Sequence, residues 1–553
     1  MTKELHHFRK VGISLSVLLF TFILVFANHG RNHLKSVSAA VYTQQGEIIE
    51  VNTTEDELNN DGDCSIREAV AAVNNTTDVD HCIGSTGVNS IYIPEGVYLI
   101  SIPSVFLLEV DMSIIGAGED LSIIDGNSIT SIFYNDNSVV EIQDLTISKG
   151  GNIESGAGIN NSGGILSIIN CSILDNHASS YANGYGAGIY NSGDLTIVDS
   201  LVANNSIDAH SAYGGGIFNY PPGTILIVNT IFRGNEVNGN YADGGALFLG
   251  GGGVEIIDST VTTNSANGVY GFAGGGVFNM APLTLRNSSI INNNASVGGG
   301  IYFHQNSASV INTTISNNRA GYRGSGIYHF NGTTYLQNST VSNNLNKGAI
   351  YFASNGSFTV KNSIVSYNPS NCTGYNVASD GYNISDDTTC SYFGPNDQNN
   401  VDPMLGPLQD NGGLSFTHAL QLGSPAIDTG DSVDCPVTDQ RGYLRDSVCD
   451  RGSYEYGAQP PHTSSEEAIQ VLISVVNDME LPSGIANSLS SKLENAIKIL
   501  VDENEENDHA AEKQLNAFIN AVEAQRGKKL TEAQADELIY AAQEIINSME
   551  AQP

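Results

Sequence analysis

Six residues in the middle of the chain have the types that break glycosidic bonds: His304, Arg319, Arg323 and His329, followed by Asp386 and Asp387. A basic side chain that abstracts a proton beside carboxylates would support elimination, and a carboxylate pair would support hydrolysis. Their spacing argues against convergence. His304 and His329 are offset by one residue relative to Ile301 and Ile327, so on strands the two rings point to opposite faces. A second set suits a hard cation. Glu57, Asn59, Asp61, Asp63 and Glu68 follow the spacing of a twelve-residue Ca²⁺ loop, with Gly62 at its sixth position and Glu68 at its twelfth. The match departs at the first position, where Glu57 replaces an Asp, and at the eighth, where Cys64 stands. Ser65 and Glu68 also have the spacing of a helix capping box, which accounts for both without a metal. Ca²⁺ is therefore the one cofactor the sequence suggests. A third set is aromatic: Tyr190, Phe218, Phe248, Phe278, Tyr302, Tyr328 and Tyr351 each follow an Ile, Leu or Val at the same point of a repeat. If those aliphatic residues face inward, the rings face outward at about 4.8 Å per repeat and offer a track for sugar rings or a protein edge.

The repeat has to position all three sets. An Asn or Asp starts a seven-residue register ending in Asn, at Asn170, Asp199, Asn229, Asp258, Asn287, Asn312, Asn338 and Asn362, the starts lying 29, 30, 29, 29, 25, 26 and 24 residues apart. Each register follows a Gly-rich segment beginning at Gly156, Gly186, Gly214, Gly244, Gly274, Gly298, Gly324 or Gly348. So short a unit cannot enclose a core and must stack on its neighbours. Runs such as Leu195-Thr-Ile197 and Leu283-Thr-Leu285 alternate as strands do, and nothing from 140 to 370 sustains a helical period. The expectation is a mainly β chain: a right-handed, single-stranded parallel β-helix with three strands per turn. Gly and Asn suit its bends because both tolerate positive φ. Asn recurring at one site can also form an amide ladder from turn to turn.

Charge narrows the partners. The chain has 22 basic and 59 acidic residues, a net charge of −37, so nucleic acid, anionic membranes and polyuronates are poor electrostatic partners. Lys3, Arg9 and Lys10 precede an apolar run from Val11 to Ala27, and Val37-Ser-Ala39-Ala40 offers a cleavage site, so residues 1–40 read as an export signal or retained anchor. No further spanning segment follows. Of seven cysteines, Cys64 and Cys82, Cys372 and Cys390, and Cys435 and Cys449 form three local pairs, read as disulfides of an exported chain. Cys171 takes the place of Ser or Thr in later repeats and reads as a small stacked side chain. The organisation is then a leader over 1–40, an N-terminal cap over 41–100, coils over 101–370, a loop-rich disulfide-bonded C-terminal cap over 371–456, a linker over 457–465 and a helical module over 466–553.

Several motifs resemble known families. Cys64-Ser-Ile-Arg-Glu-Ala69 is similar, with one Leu to Ile change, to the leading motif of exported bacterial CSLREA-type repeat proteins. Asp402-Pro-Met-Leu-Gly-Pro-Leu-Gln-Asp-Asn-Gly-Gly413, Gly423-Ser-Pro-Ala-Ile-Asp428 and Cys449-Asp-Arg-Gly-Ser-Tyr-Glu455 resemble the choice-of-anchor Q terminal domain. The repeats resemble those of chlamydial polymorphic outer-membrane proteins and the wider pectin-lyase-like group. Gly484 to Ala496 with Leu515-Asn-Ala-Phe-Ile-Asn-Ala-Val522 resembles the FIMAH module of secreted bacterial proteins. That module should be a small all-α bundle with helices over 465–478, 485–502, 510–526 and 532–548, its core built from Leu489, Leu493, Ile497, Leu500, Leu515, Phe518, Ile519 and Val522. The resemblances imply an exported protein, secreted or at the cell surface: an adhesin or polysaccharide-binding scaffold whose partner is a polysaccharide or a surface protein, with the helical module a second protein-binding element. The alternative is a polysaccharide lyase or glycoside hydrolase.

Overall fold

The computed structural model describes residues 48–458 apart from 85–88, 152, 271–272 and 354, then 481–500 and 508–530, with scattered positions between 469 and 546. The expected export segment and most of the linker lie outside the described residues. Among those residues no helix is long and apolar enough to cross a membrane. The chain divides into two compact units, one spanning residues 40–460 and one holding residues 461–553.

The larger unit is a parallel β-solenoid. Three sheets of 13, 11 and 13 strands run along it, each coil giving one strand to each sheet. Register is kept from coil to coil: Leu195 pairs with Leu166 and Ile225, Ile189 with Ile159 and Ile217, and Val202 with Ile173 and Phe232. These aliphatic files fill the lumen, where nearly every member is fully buried. Pairing starts at Ile48–Glu50 and reaches Gln398–Asn399, so the sheets run past both limits of the expected coil region, 101 and 370. The first strand joins because Ile49, opposite Ile91, extends the same buried file.

Bends are made as the sequence suggests. Asn170, Asp199, Asn229, Asp258, Asn287, Asn312, Asn338 and Asn362 all have φ between +43° and +53°. Gly214 shows why its neighbours are glycines: φ is +67°, and an added Cβ would sit 2.1 Å from the Ile217 carbonyl oxygen. The closing Asn of each register, buried in all but the half-buried Asn368, joins an amide ladder from Asn176 through Asn205, Asn235, Asn264, Asn293, Asn318 and Asn344 to Asn368, with links of 2.9–3.3 Å.

Two features depart from the expectation. Coils carry three strands only in part, because His177–Tyr185, Ser206–Tyr213, Glu236–Gly239, Tyr241–Asp243, Ser265–Gly268, Asn294–Val297 and Arg319–Arg323 form a fourth parallel sheet of seven strands. Its inner side is lined by buried apolar residues, Ala178, Ile207, Val237, Ala266 and Ala295, which cluster with Ala157 and Ala187. The closing region, for its part, does not sit only at the end of the stack; it folds back along the third sheet and reaches Lys361 at the end of a strand of the first. Thr314 donates to Gln440 at 2.6 Å, Ser316 meets the His418 Nε2 at 2.9 Å, and Lys361 pairs with Asp431 at 3.0 Å. Those coils carry Thr and Ser outward, and the closing region supplies their partners.

Disulfides join Cys64 to Cys82, Cys372 to Cys390 and Cys435 to Cys449. Cys171 is free and buried, its thiol pushed up to about 12 by burial. The cap helix Ile66–Asn75 starts with a complete capping box: the Ser65 hydroxyl accepts from the Glu68 N–H, and the Glu68 carboxylate accepts from the Ser65 N–H. Glu68 is fully buried and accepts from the Asn59 N–H as well, at 2.9 Å. Glu68→Ala strands both donors and is expected to lower stability by about 2 kcal/mol. Glu68→Gln, which keeps an acceptor, should lose less; equal losses in urea titrations would sink this account.

In the smaller unit, helices span Ser483–Leu500 and Asp508–Glu523, and the next bend has Gly527 at φ +65°. Leu489, Leu493, Leu515, Phe518 and Val522 are its core, with Ile497, Leu500 and Ile519 packed against it.

Candidate functional site

The six residues with catalytic character are dispersed. His329 ends the strand Ile327–His329 and lies in the lumen, fully buried, in register with Phe303 and Phe352. His304 is outside the lumen and half-buried, its ring 5.8 Å from Phe278, 6.1 Å from Tyr302 and 5.4 Å from Phe330. Asp386 and Asp387 serve the loop closed by Cys372 and Cys390. Asp386 accepts from the Tyr367 N–H at 3.0 Å, and Asp387 from the Asn371 N–H at 3.0 Å. Arg319 and Arg323 stand apart from all four on the last strand of the fourth sheet. No proton-abstracting pair is assembled by these six.

The aromatic file is continuous but mostly covered. Rings from Tyr190 to Tyr351 stack coil on coil with centroids 4.7–5.7 Å apart. They point away from the lumen, as expected, yet Phe218, Phe278, Tyr302 and Tyr328 are buried, and Tyr190, Phe248 and Tyr351 half-buried. Fourth-sheet residues cover them: Tyr185 packs 4.8 Å from Phe218, Tyr213 5.3 Å from Phe248, and Arg323 4.8 Å over Tyr351. Covered rings cannot offer a face to a sugar.

The acidic loop comes together more closely than its sequence spacing requires. Glu57, Asp61 and Asp63 form one group, and Asp63, Glu68 and Asp80 a second, with oxygens inside each group within 4.8 Å of one another. The Asn59 amide donates to Glu57 at 2.6 Å and to Asp61 at 3.2 Å. Desolvation first, and then the charges of Asp61 and neighbouring carboxylates, raise the Glu57 and Asp63 carboxyls. This is a donor set of hard oxygens such as Ca²⁺ takes. Glu68, however, is already committed to two backbone donors, which sets its geometry by the helix cap. Asp80, unread in the sequence, accepts from the Asp61 and Gly62 N–H groups.

The built surface is the outer face of the fourth sheet. Register places Ser206, Glu236, Ser265, Asn294 and Arg319 in one outward file, and Ser179, Asp208, Asn238 and Asn267 in the next. Asn238 donates to Asp208 at 3.1 Å and Asn267 to Asn238 at 2.9 Å, so the file is an ordered row of amides and carboxylate. Beside it runs an exposed aromatic row. His210 is 5.7 Å from Tyr241, and Tyr241 is 6.1 Å from Tyr270. Tyr181, Tyr270 and Tyr322 are 105%, 69% and 71% exposed. Amide and carboxylate groups bond hydroxyls in pairs, while tyrosine faces pack on the C–H faces of pyranoses. At strand spacing the face repeats about every 4.8 Å along the solenoid. Only the alternation of Ala, Ile or Val with polar residues in these segments hinted at it.

Residues 466–547 match the model of the FIMAH domain. No curated protein and no solved structure matches the chain.

Proposed function

We propose that this chain is an exported, surface-associated protein whose solenoid serves as a non-catalytic polysaccharide-binding scaffold, adhesin-like in use. The observation that carries the reading is the Asp208–Asn238–Asn267 row, in register from coil to coil, with the His210, Tyr241 and Tyr270 rings succeeding one another beside it on one exposed face. Three disulfides and the absence of a membrane-crossing helix among the described residues are compatible with an extracellular location. The FIMAH match and the resemblances to CSLREA-type and choice-of-anchor proteins agree with surface association. The contact surface shifts, in this reading, from the covered aromatic file to the fourth sheet. The FIMAH-like module is a second, protein-binding element.

The test is retention of the protein on a panel of insoluble polysaccharides, with absorbance at 235 nm and reducing ends followed in parallel. Retention without product is expected. Substituting Tyr241→Ala with Tyr270→Ala, and separately Asp208→Ala with Asn238→Ala, should each weaken retention by about tenfold while leaving the unfolding transition in place, since all four side chains are solvent-facing or half-buried. Retention unchanged in both double variants would overturn the assignment of this face. New unsaturated ends would favour the lyase alternative, and new reducing ends the hydrolase.

A further inference from the structure

Charge is distributed very unevenly along the solenoid. Between Asp258 and Asp380 there is no Asp or Glu, whereas Arg286, Arg319, Arg323, Lys347 and Lys361 all fall in that stretch. In a chain of net charge −37 this is a local reversal of sign. Two of the five cations are accounted for. Lys361 is clamped between Asp431 and Asp434 of the closing region. Arg286 lies close enough to Glu255 and Asp258 to lower both carboxyls against the upward push of their burial. The other three lie on the last strand of the fourth sheet, Arg319 and Arg323 at its two ends, and on the segment that follows it one coil on, Lys347, and no ion pair joins them to a carboxylate among the described residues.

That place is the step where the fourth sheet stops. Arg319–Arg323 is its last strand, and the next coil contributes only a single bridge, Arg319 to Leu345. A cleft of about 720 Å³ opens there, lined by Asn292, Asn294, Asn317, Arg319, Leu345 and Asn346. Its surroundings are braced. The Lys347 N–H donates to the Ser325 hydroxyl at 3.1 Å, and that hydroxyl donates to the Lys347 carbonyl at 2.9 Å. The Arg323 guanidinium is held 4.8 Å over the Tyr351 ring. Arg319, Arg323 and Lys347 are all solvent-exposed, and so is Tyr322 between the arginines.

We infer that this step binds a single oxyanion, a carboxylate or sulfate substituent, on the glycan carried by the fourth sheet. The inference rests on the polysaccharide-binding reading of that sheet. Guanidinium and ammonium groups supply charge-assisted bonds to the oxyanion, and the asparagine side chains of the cleft supply neutral donors and acceptors for the flanking hydroxyls. The substituent has to be sparse. Upstream on the same face Asp208 and Glu236 would repel a chain charged at every unit, whereas a mostly neutral chain with an occasional anion satisfies both ends of the face. An acidic peptide would find the same cations but has no use for the continuous hydroxyl-binding row that leads into the cleft.

The experiment compares retention of the full chain on one neutral β-glucan with retention on the same polymer lightly carboxylated, and lightly sulfated. The substituted forms should be held about tenfold more tightly than the parent, and whichever is held better names the oxyanion. Arg319→Gln with Lys347→Gln should abolish the preference, so that the variant holds the substituted forms no more tightly than it holds the parent polymer. Salt at about 0.5 M should do the same to the wild type. Equal retention of neutral and substituted forms would overturn the inference and leave the binding face intact. Retention of neither would overturn the reading it rests on. Competition by polyglutamate as strong as by the substituted glucan would replace the glycan with an acidic peptide. Unchanged retention in the double variant, accompanied by new self-association, would assign the charges to guarding an open sheet edge.

Discussion

Asn264→Ala is expected to lower the stability of the solenoid by on the order of 4 kcal/mol, more than any surface change. Asn264 is 1% exposed and holds four groups at once. Its Oδ1 accepts from the Asn235 N–H at 2.9 Å and the Asn235 Nδ2 at 3.0 Å, and its Nδ2 donates to the Phe232 carbonyl at 3.0 Å and the Asn293 Oδ1 at 3.0 Å. Alanine leaves two donors and two acceptors facing a void in the interior, each costing about 1–3 kcal/mol unless water reaches it. In a stacked architecture the break also uncouples the coils on either side, so the unfolding transition should broaden or split. Urea unfolding followed by far-UV circular dichroism reads both effects. Asn294→Ala, at an exposed strand position without positive φ, is the control, expected within about 0.5 kcal/mol of wild type. A loss under about 1 kcal/mol at Asn264 would mean that the ladder is decoration.

What could be read in advance follows from the same ladder. Asn264 and its equivalents recur at a spacing that only stacking explains, so the stacking, bends and lumen files were legible in the sequence, but the outer coils, which lack the register, were not. The helical module was legible because Leu489, Leu493, Leu515, Phe518 and Val522 keep helical spacing, and the capping box because Ser65 and Glu68 are three apart. The fourth sheet was not legible. Its strands are short, with polar residues outward and apolar residues inward, as in Ser206-Ile-Asp208, and their alternation gains meaning only once neighbouring coils supply the pairing partner. Missing that sheet carried a second error with it. The rings from Phe218 to Tyr328 do point away from the lumen, but the unread segments lie over them, which moves the exposed aromatics to Tyr181, Tyr241, Tyr270 and Tyr322. The dispersal of His304, His329, Asp386 and Asp387 has the same origin: strand parity separates the two histidines, but only the folded loop shows that both carboxylates are bound to their own backbone. Glu57 to Glu68 is the intermediate case, since the spacing brought the carboxylates together and the helix cap then took the last of them.

His329 gives the second large effect, because the lumen holds it without a polar partner. Among the described residues neither ring nitrogen has a hydrogen-bond partner, and Phe352 and Phe358 meet the ring edgewise at 5.2 and 5.5 Å. Burial drives its pKa down to about 4 from 6.5. The folded state therefore holds the ring neutral while the unfolded chain protonates it from pH 6.5 downward. Stability from this residue is present above pH 6.5 and is lost as pH falls toward 4, by about 3 kcal/mol over the interval. Asp258 and Asp450 act in the opposite sense. Burial raises them to about 6 and about 7, so they favour the folded state at low pH and withdraw that support as pH rises. The total pH profile mixes these signs, and His329→Phe separates them. Phenylalanine already occupies the paired positions 303 and 352, so the ring fits the file and removes two unpaired nitrogens. The variant should be at least as stable as wild type at pH 7.5, and its advantage should grow by about 3 kcal/mol at pH 4. An advantage that is the same at both pH values would show that His329 is not the group that titrates on unfolding.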